Sequence, residues 1–93
     1  MFKIRTNDFV NNCTITFGNL TLSFSNGRFP NCRNTDNKGT SDNVEVAVLD
    51  NDGNFVTKTV WWKIFREELS DDVVGWVDAK QFAQLVAGLA KGV

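Results

Sequence analysis

One apolar stripe at helical spacing, close to the C-terminus, restricts the fold of this chain more than any other feature. Its residues recur at i, i+3, i+4, i+7 and i+11, at Phe82, Leu85, Val86, Leu89 and Val93. Asp78 precedes the stripe with a side chain that accepts hydrogen bonds from free helix N–H groups, and Gln81 follows at capping-box spacing. Lys91 and Gly92 supply a C-terminal cation and a stop. No other segment has so clear a helical pattern, so we expect the rest of the chain to form a sheet under this one helix.

Two alternating segments form the clearest hairpin. Cys13 to Phe17 and Leu20 to Phe24 are joined by Gly18-Asn19, a two-residue loop with glycine first, which suits a type II′ turn. The facing pairs are then Phe17 with Leu20, Ile15 with Leu22 and Cys13 with Phe24, all on one face. This pattern predicts that Cys13 is a core residue and that the polar residues between these positions face water.

A shorter strand precedes the hairpin. Phe2 to Thr6 alternates and fits an edge strand, in which Lys3 and Arg5 discourage pairing with other molecules. Asn11-Asn12 is interpreted as a break before the hairpin, and Asn26-Gly27 as a turn after it.

The second half of the chain supplies the remaining strands. Val44 to Leu49 fits a buried strand, residues 50–53 a turn, and Asn54 to Thr59 a strand that runs back to complete a second hairpin. Val73 to Val77 fits a short buried strand directly before the helix, with Trp76 in the core because it shares the parity of Val74.

Two adjacent tryptophans lie in an apolar run, Val60 to Phe65, whose structure the sequence leaves open. As a strand, which we favour, Trp62 faces the core while Trp61 lies on the second face, where it is available to a partner. The alternative is a helical turn from Trp61 to Leu69, and so short a run does not decide between them. A loop is expected at residues 66–72.

These patterns predict one α+β domain over residues 1–93, with a mostly antiparallel sheet of about five strands and one C-terminal helix packed on one face.

A long polar loop over residues 28–43 contains the candidate binding residues. Arg28, Phe29, Cys32 and Arg33 make its first half chemically distinct, and the loop residues predicted to bind a partner are Arg28, Phe29, Asn31 and Arg33. Arg28, Arg33 and Lys38 can bind an anion or an acidic surface, and the alternative is that they are solubilising charges.

Composition excludes several classes of function. The net charge of −1 disfavours a general nucleic-acid or membrane-surface binder. Histidine is absent, which removes Ser-His and Cys-His catalysis, and Cys13 and Cys32 cannot complete a four-ligand zinc site without it. Residues 50–54 are similar to the start of a calcium loop, but Trp61 stands where a bidentate glutamate is required, so a turn explains them better. We expect no metal, no cofactor and no enzymatic activity.

Localisation is expected to be cytoplasmic. The N-terminus lacks the apolar segment of a signal peptide, and no run approaches the roughly 20 apolar residues of a membrane span. In that compartment Cys13 and Cys32 are expected to be reduced thiols.

Four segments resemble small uncharacterised proteins encoded by tailed bacteriophages. They are Ile-Arg-Thr-Asn-Asp-Phe-Val-Asn-Asn-Cys at 4–13, Thr-Leu-Ser-Phe-Ser-Asn-Gly-Arg-Phe at 21–29 with Asn-Cys-Arg-Asn at 31–34, Val-Glu-Val-Ala-Val-Leu-Asp-Asn-Asp-Gly-Asn-Phe-Val at 44–56, and Asp-Val-Val-Gly-Trp-Val-Asp at 72–78. The resemblance implies the cytoplasm of an infected bacterial host as the setting, and it assigns no catalytic or binding residue.

Three hypotheses about function follow. The first is a non-enzymatic binding protein that inhibits a host factor, such as an anti-phage defence system, through Trp61 and the arm from Arg28 to Arg33. The second is an oligomeric sponge that sequesters a nucleotide immune signal between the subunits of a homo-oligomer, with Arg28, Asn31 and Arg33 as donors. The third is a virion accessory or assembly protein. The expected partner is a host protein or a small nucleotide ligand, with neither a membrane nor nucleic acid expected.

Overall fold

The computed structural model describes residues 1–6, 10–27 and 40–93. The elements within them are β1 (Phe2–Thr6), β2 (Val10–Phe17), β3 (Leu20–Gly27), β4 (Asn43–Leu49), α1 (Thr57–Phe65), β5 (Val74–Asp78) and α2 (Ala79–Ala90). The five strands form one antiparallel sheet in the order β1-β2-β3-β4-β5. The predicted α+β class, with an antiparallel sheet and a C-terminal helix, is confirmed, and α1 is a second helix.

The hairpin of β2 and β3 has the predicted register. Phe17 faces Leu20, and Cys13 faces Phe24. Gly18, the first loop residue, has a φ of 58°, as the first position of a type II′ turn requires. Local alternation and a glycine-first loop were therefore enough to predict this pairing.

The strands of that hairpin are longer than predicted, and the expected interruptions at Asn11-Asn12 and Asn26-Gly27 are wrong. Both pairs of residues lie inside the ladder, where Asn11 faces Asn26. The Asn11 Nδ2 group donates to Asn26 Oδ1 at 3.2 Å, and the Asn12 Nδ2 group donates to Ser25 Oγ at 2.8 Å. Cross-strand hydrogen bonds of this kind compensate for the low strand propensity of asparagine.

The turn after β4 forms as predicted, but the returning strand does not. Asp50 Oδ1 accepts from the N–H groups of Asp52 and Asn54 at 2.9 Å each. Leu49 and Phe55 then make a single bridge before α1 begins. The predicted strand over residues 54–59 is therefore wrong.

Thr57 supplies the physical reason why the ladder stops. Its side chain is buried, and its Oγ1 accepts from the Val48 N–H at 2.9 Å and donates to the Val48 C=O at 3.3 Å. The Val48 C=O also accepts from the Val56 N–H at 2.8 Å, so the hydroxyl takes the place of the strand acceptor that the Val48 N–H would otherwise need, and the chain can continue as a helix. The interpretation of Val60 to Phe65 as a strand is also wrong, since these residues belong to α1. The loop predicted at residues 66–72 is confirmed.

The predicted position of Trp76 in the core is wrong, because β5 contains a bulge. Val77 pairs with Val44 and Val74 pairs with Val46, so two residues of β5 face one residue of β4. The extra residue reverses the side-chain parity, and Trp76 has a φ of 54° and is 52% exposed instead of lying in the core. Alternation alone could not predict this, because a bulge depends on how the partner strand pairs.

The ends of α2 match the sequence prediction. The Asp78 side chain accepts from the Gln81 N–H at 2.8 Å, and the Gln81 Oε1 accepts from the Asp78 N–H at 3.2 Å, which completes a capping box. At the other end Gly92 has a φ of 89°, and the Val93 N–H donates to the Gly88 C=O at 3.2 Å.

The core lies between the two helices and one end of the sheet. Its buried apolar residues come from β3, β4, β5, α1 and α2, and they are Leu22, Val46, Val48, Val60, Trp61, Val77, Leu85 and Leu89. Phe82 of α2 packs edge-on against Phe24 of β3, with ring centroids 4.7 Å apart. Both helices therefore cover the same face of the sheet, over β3, β4 and β5.

Candidate functional site

The residues predicted to bind a partner fall into two groups. Arg28, Phe29, Asn31 and Arg33 lie outside the described residues. Trp61 is described and is only 2% exposed, so its predicted position on an accessible second face is wrong.

Helix geometry reverses the predicted roles of the two tryptophans. Successive residues of a helix are about 100° apart, so an apolar stripe that contains Val60 and Trp61 leaves Trp62, about 200° from Val60, on the opposite side. Trp61 points into the core and lies against Phe65, with ring centroids 4.2 Å apart. Trp62 was expected in the core but is 45% exposed, and the Arg66 guanidinium lies 5.9 Å from its ring centroid. This distance is within the limit of about 6 Å for a cation–π contact.

The most exposed large apolar side chains of the strands and helices lie at the β1 end of the sheet, away from the two helices. We name it the β1–β2 apolar surface: Phe2 and Ile4 of β1 together with Cys13 and Ile15 of β2. Phe2 is 70% exposed and Ile4 is 76% exposed, while Cys13 and Ile15 are half-buried. An exposed cluster of large apolar side chains is a feature of interaction sites.

Strand pairing places this surface on the same face as the core. One row across the sheet runs from Phe2 through Ile15 and Leu22 to Val48. At the β4 end of this row Leu22 and Val48 are 0% and 1% exposed, because the helices cover them. The β1–β2 apolar surface is therefore an extension of the core face that the described helices leave uncovered.

The position of the helices explains why this end is bare. α2 begins at Ala79, directly after β5 ends at Asp78, and α1 follows β4 after a turn. Both helices are thus attached at the β4–β5 end of the sheet. Strands lie about 4.8 Å apart, so β1 is roughly four strand spacings from β5.

A groove continues this surface toward the ends of β3 and β4. It has a volume of about 310 Å³, and its lining includes Ile4, Cys13, Phe24 and Val44. Cys13 is a free thiol here, half-buried on the predicted apolar face rather than enclosed in the core.

A smaller groove of about 200 Å³ shares Phe24 and Val44 with the first and lies at the N-terminal end of α2. Its lining also contains Asp42 and Asp78. These two carboxylates would repel a phosphate-bearing ligand. The Asp78 side chain also occupies the helix N-terminus to which an anion would otherwise bind.

The described residues show no cluster suited to catalysis by a metal. No group of three His, Cys, Asp or Glu side chains within them is arranged to hold a metal ion.

Neither described helix, at 9 and 12 residues, is long enough to cross a bilayer.

The sequence did contain a signal for the β1–β2 apolar surface. Phe2 and Ile4 alternate with Lys3 and Arg5 in a segment already predicted to be an edge strand. With one helix expected to cover about five strands, some apolar residues of an edge strand had to remain uncovered, since a helix is only about 10 Å wide.

Comparison with protein-family models, with curated proteins and with solved structures found no match for this chain.

Proposed function

We propose that this chain is a non-enzymatic binding protein that inhibits a host factor by covering part of its surface, with the β1–β2 apolar surface as the contact. One observation carries the proposal: Phe2 and Ile4 are 70% and 76% exposed on the same sheet face that is closed over Leu22 and Val48. The resemblance to tailed-phage proteins supports a bacterial setting, with a host defence protein as the class of target.

A protein partner suits this surface better than a small polar ligand. Three of its four side chains are aromatic or aliphatic, and large exposed apolar side chains of this kind are typical of protein interfaces. Burying one Phe or Ile side chain stabilises a complex by about 1.5–3 kcal/mol, which corresponds to roughly tenfold or more in affinity for each residue.

The test is a double variant in which Phe2→Ser is combined with Ile4→Ser. We expect this variant to bind the host factor captured from bacterial lysate at least about tenfold more weakly than the wild type, as measured by titration of the purified pair. Its thermal midpoint should change little, because both side chains are already exposed in the folded chain.

Trp62→Ser and Trp76→Ser are matched controls, since they remove exposed apolar side chains from α1 and from β5. Both should retain host-factor binding. Loss of binding in Trp62→Ser, with full binding in the Phe2 and Ile4 variant, would contradict the proposed contact.

A further inference from the structure

Within the part of the chain that the structure describes, the outer side of β1 is an open sheet edge. β1 is an end strand of the sheet, and none of the described strands pairs with its second side. The Met1 C=O accepts from the Thr16 N–H at 3.0 Å, so this pair belongs to the hydrogen-bonded positions of the ladder. Because hydrogen-bonded and non-hydrogen-bonded pairs alternate in antiparallel strands, the backbone groups of Phe2, Ile4 and Thr6 point away from β2.

The side chains along this edge differ in character between the two faces of the sheet. Phe2 and Ile4 lie on the helix side and are largely exposed. Lys3 and Arg5 are exposed on the other face, where they contribute to the lining of a depression of about 410 Å³. A strand added here would meet apolar side chains on one face and two cations on the other.

We propose that β1 binds an extended acidic segment of its protein partner as an additional antiparallel strand. The inference rests on the proposed function and names the chemistry of the partner at that site. The backbone of the segment pairs with the N–H and C=O groups of Phe2, Ile4 and Thr6. Its apolar side chains continue the β1–β2 apolar surface, and its carboxylates face Lys3 and Arg5 at the closely spaced, non-hydrogen-bonded positions.

Charge disfavours a second copy of this chain as the occupant. Two copies would pair through the backbone groups that point away from β2. The hydrogen-bonded pairs would then join Phe2, Ile4 or Thr6 of one copy to Phe2, Ile4 or Thr6 of the other. In the antiparallel register centred on Ile4, Lys3 of each copy faces Arg5 of the other, and in the registers centred on Lys3 or Arg5 the central cation faces its own counterpart. Like charges directly opposite each other destabilise a strand pair. The edge therefore opposes self-pairing and favours an acidic strand.

The test uses a fluorescent peptide that contains Thr-Glu-Val-Glu-Ile, written to run antiparallel to residues 6 to 2. A matched peptide has lysine in place of both glutamates. Measured by fluorescence anisotropy at low salt, the acidic peptide should bind the full chain about tenfold more tightly than the basic one. The protein variant Lys3→Glu with Arg5→Glu should reverse this preference, and added salt should weaken it.

Backbone pairing is tested by N-methylation of the peptide valine, which removes the donor that faces Ile4. We expect this change to abolish binding. If both peptides bind the wild type equally, or if the N-methylated peptide binds as well as its parent, strand addition at β1 is wrong. Such a result, together with loss of host-factor binding in the Phe2 and Ile4 variant, would leave the proposed function intact. Full host-factor binding by that variant would remove the proposed function.

Discussion

At the scale of single residues, Trp61 is the clearest difference between the predicted and the observed environment of a side chain. It is one of the largest side chains in the core, and its Nε1–H has no hydrogen-bond partner among the described residues. An unpaired buried donor costs about 1–3 kcal/mol, so the ring stabilises the fold through packing against Phe65 and its neighbours in spite of its polar atom.

Two substitutions of Trp61 distinguish the stabilisation from ring packing from the cost of the unpaired N–H. Trp61→Ala should lower the free energy of unfolding by about 3–5 kcal/mol, because it leaves a large cavity. Trp61→Phe should cost less than half as much, since it keeps one ring and removes the unpaired donor. Urea titration followed by circular dichroism measures both. Equal losses for the two variants would show that the N–H is paired in solution.

At the scale of elements, the contact between α1 and α2 depends on a missing side chain. A Cβ atom on Gly88 of α2 would lie 2.5 Å from Cδ1 and 2.7 Å from Cγ1 of Ile64 in α1. These distances are shorter than any ordinary carbon–carbon contact, so a side chain at this position would force the half-buried Ile64 side chain to move.

Gly88→Ala should therefore have opposite effects in two backgrounds. In the wild type we expect it to destabilise the fold, because overpacking costs about 1–3 kcal/mol and outweighs the gain of about 1 kcal/mol in helix propensity. In an Ile64→Ala background the clash disappears, and the same substitution should stabilise the fold. A double-mutant cycle by chemical denaturation measures this reversal, and additive effects would contradict the predicted contact.

At the scale of the whole molecule, burial falls steeply from one end of the sheet to the other. The helices are attached beside β4 and β5, and the core face is bare at β1. One sheet face thus serves two purposes, stability at the β4 end and, in our proposal, binding at the β1 end.

Two substitutions in one row of the sheet test this division. Leu22→Ala should lower the free energy of unfolding by about 2–5 kcal/mol, because the side chain is fully buried. Phe2→Ala, two strands away, should change it by about 0.5 kcal/mol or less. Thermal and urea unfolding of the two variants give the comparison. A large loss for Phe2→Ala would mean that β1 packs more tightly in solution.

Short-range patterns in the sequence determined several elements of this fold. The β2–β3 register follows from alternation and a two-residue loop, and the capping box and the Gly92 stop of α2 follow from residues within one turn of each helix end. These features depend on hydrogen bonds between near neighbours in the chain. The α+β class followed from them.

Only the tertiary structure decided the positions of the three tryptophans and the exposure of β1. Thr57 bonds to Val48 and ends the ladder, which makes Trp61 helical and buried; the bulge opposite β4 turns Trp76 outward. The bare end of the sheet depends on where the helices are attached. Each outcome is set by contacts between residues that are distant in sequence or lie on different elements, and periodicity within one segment contains no information about such partners.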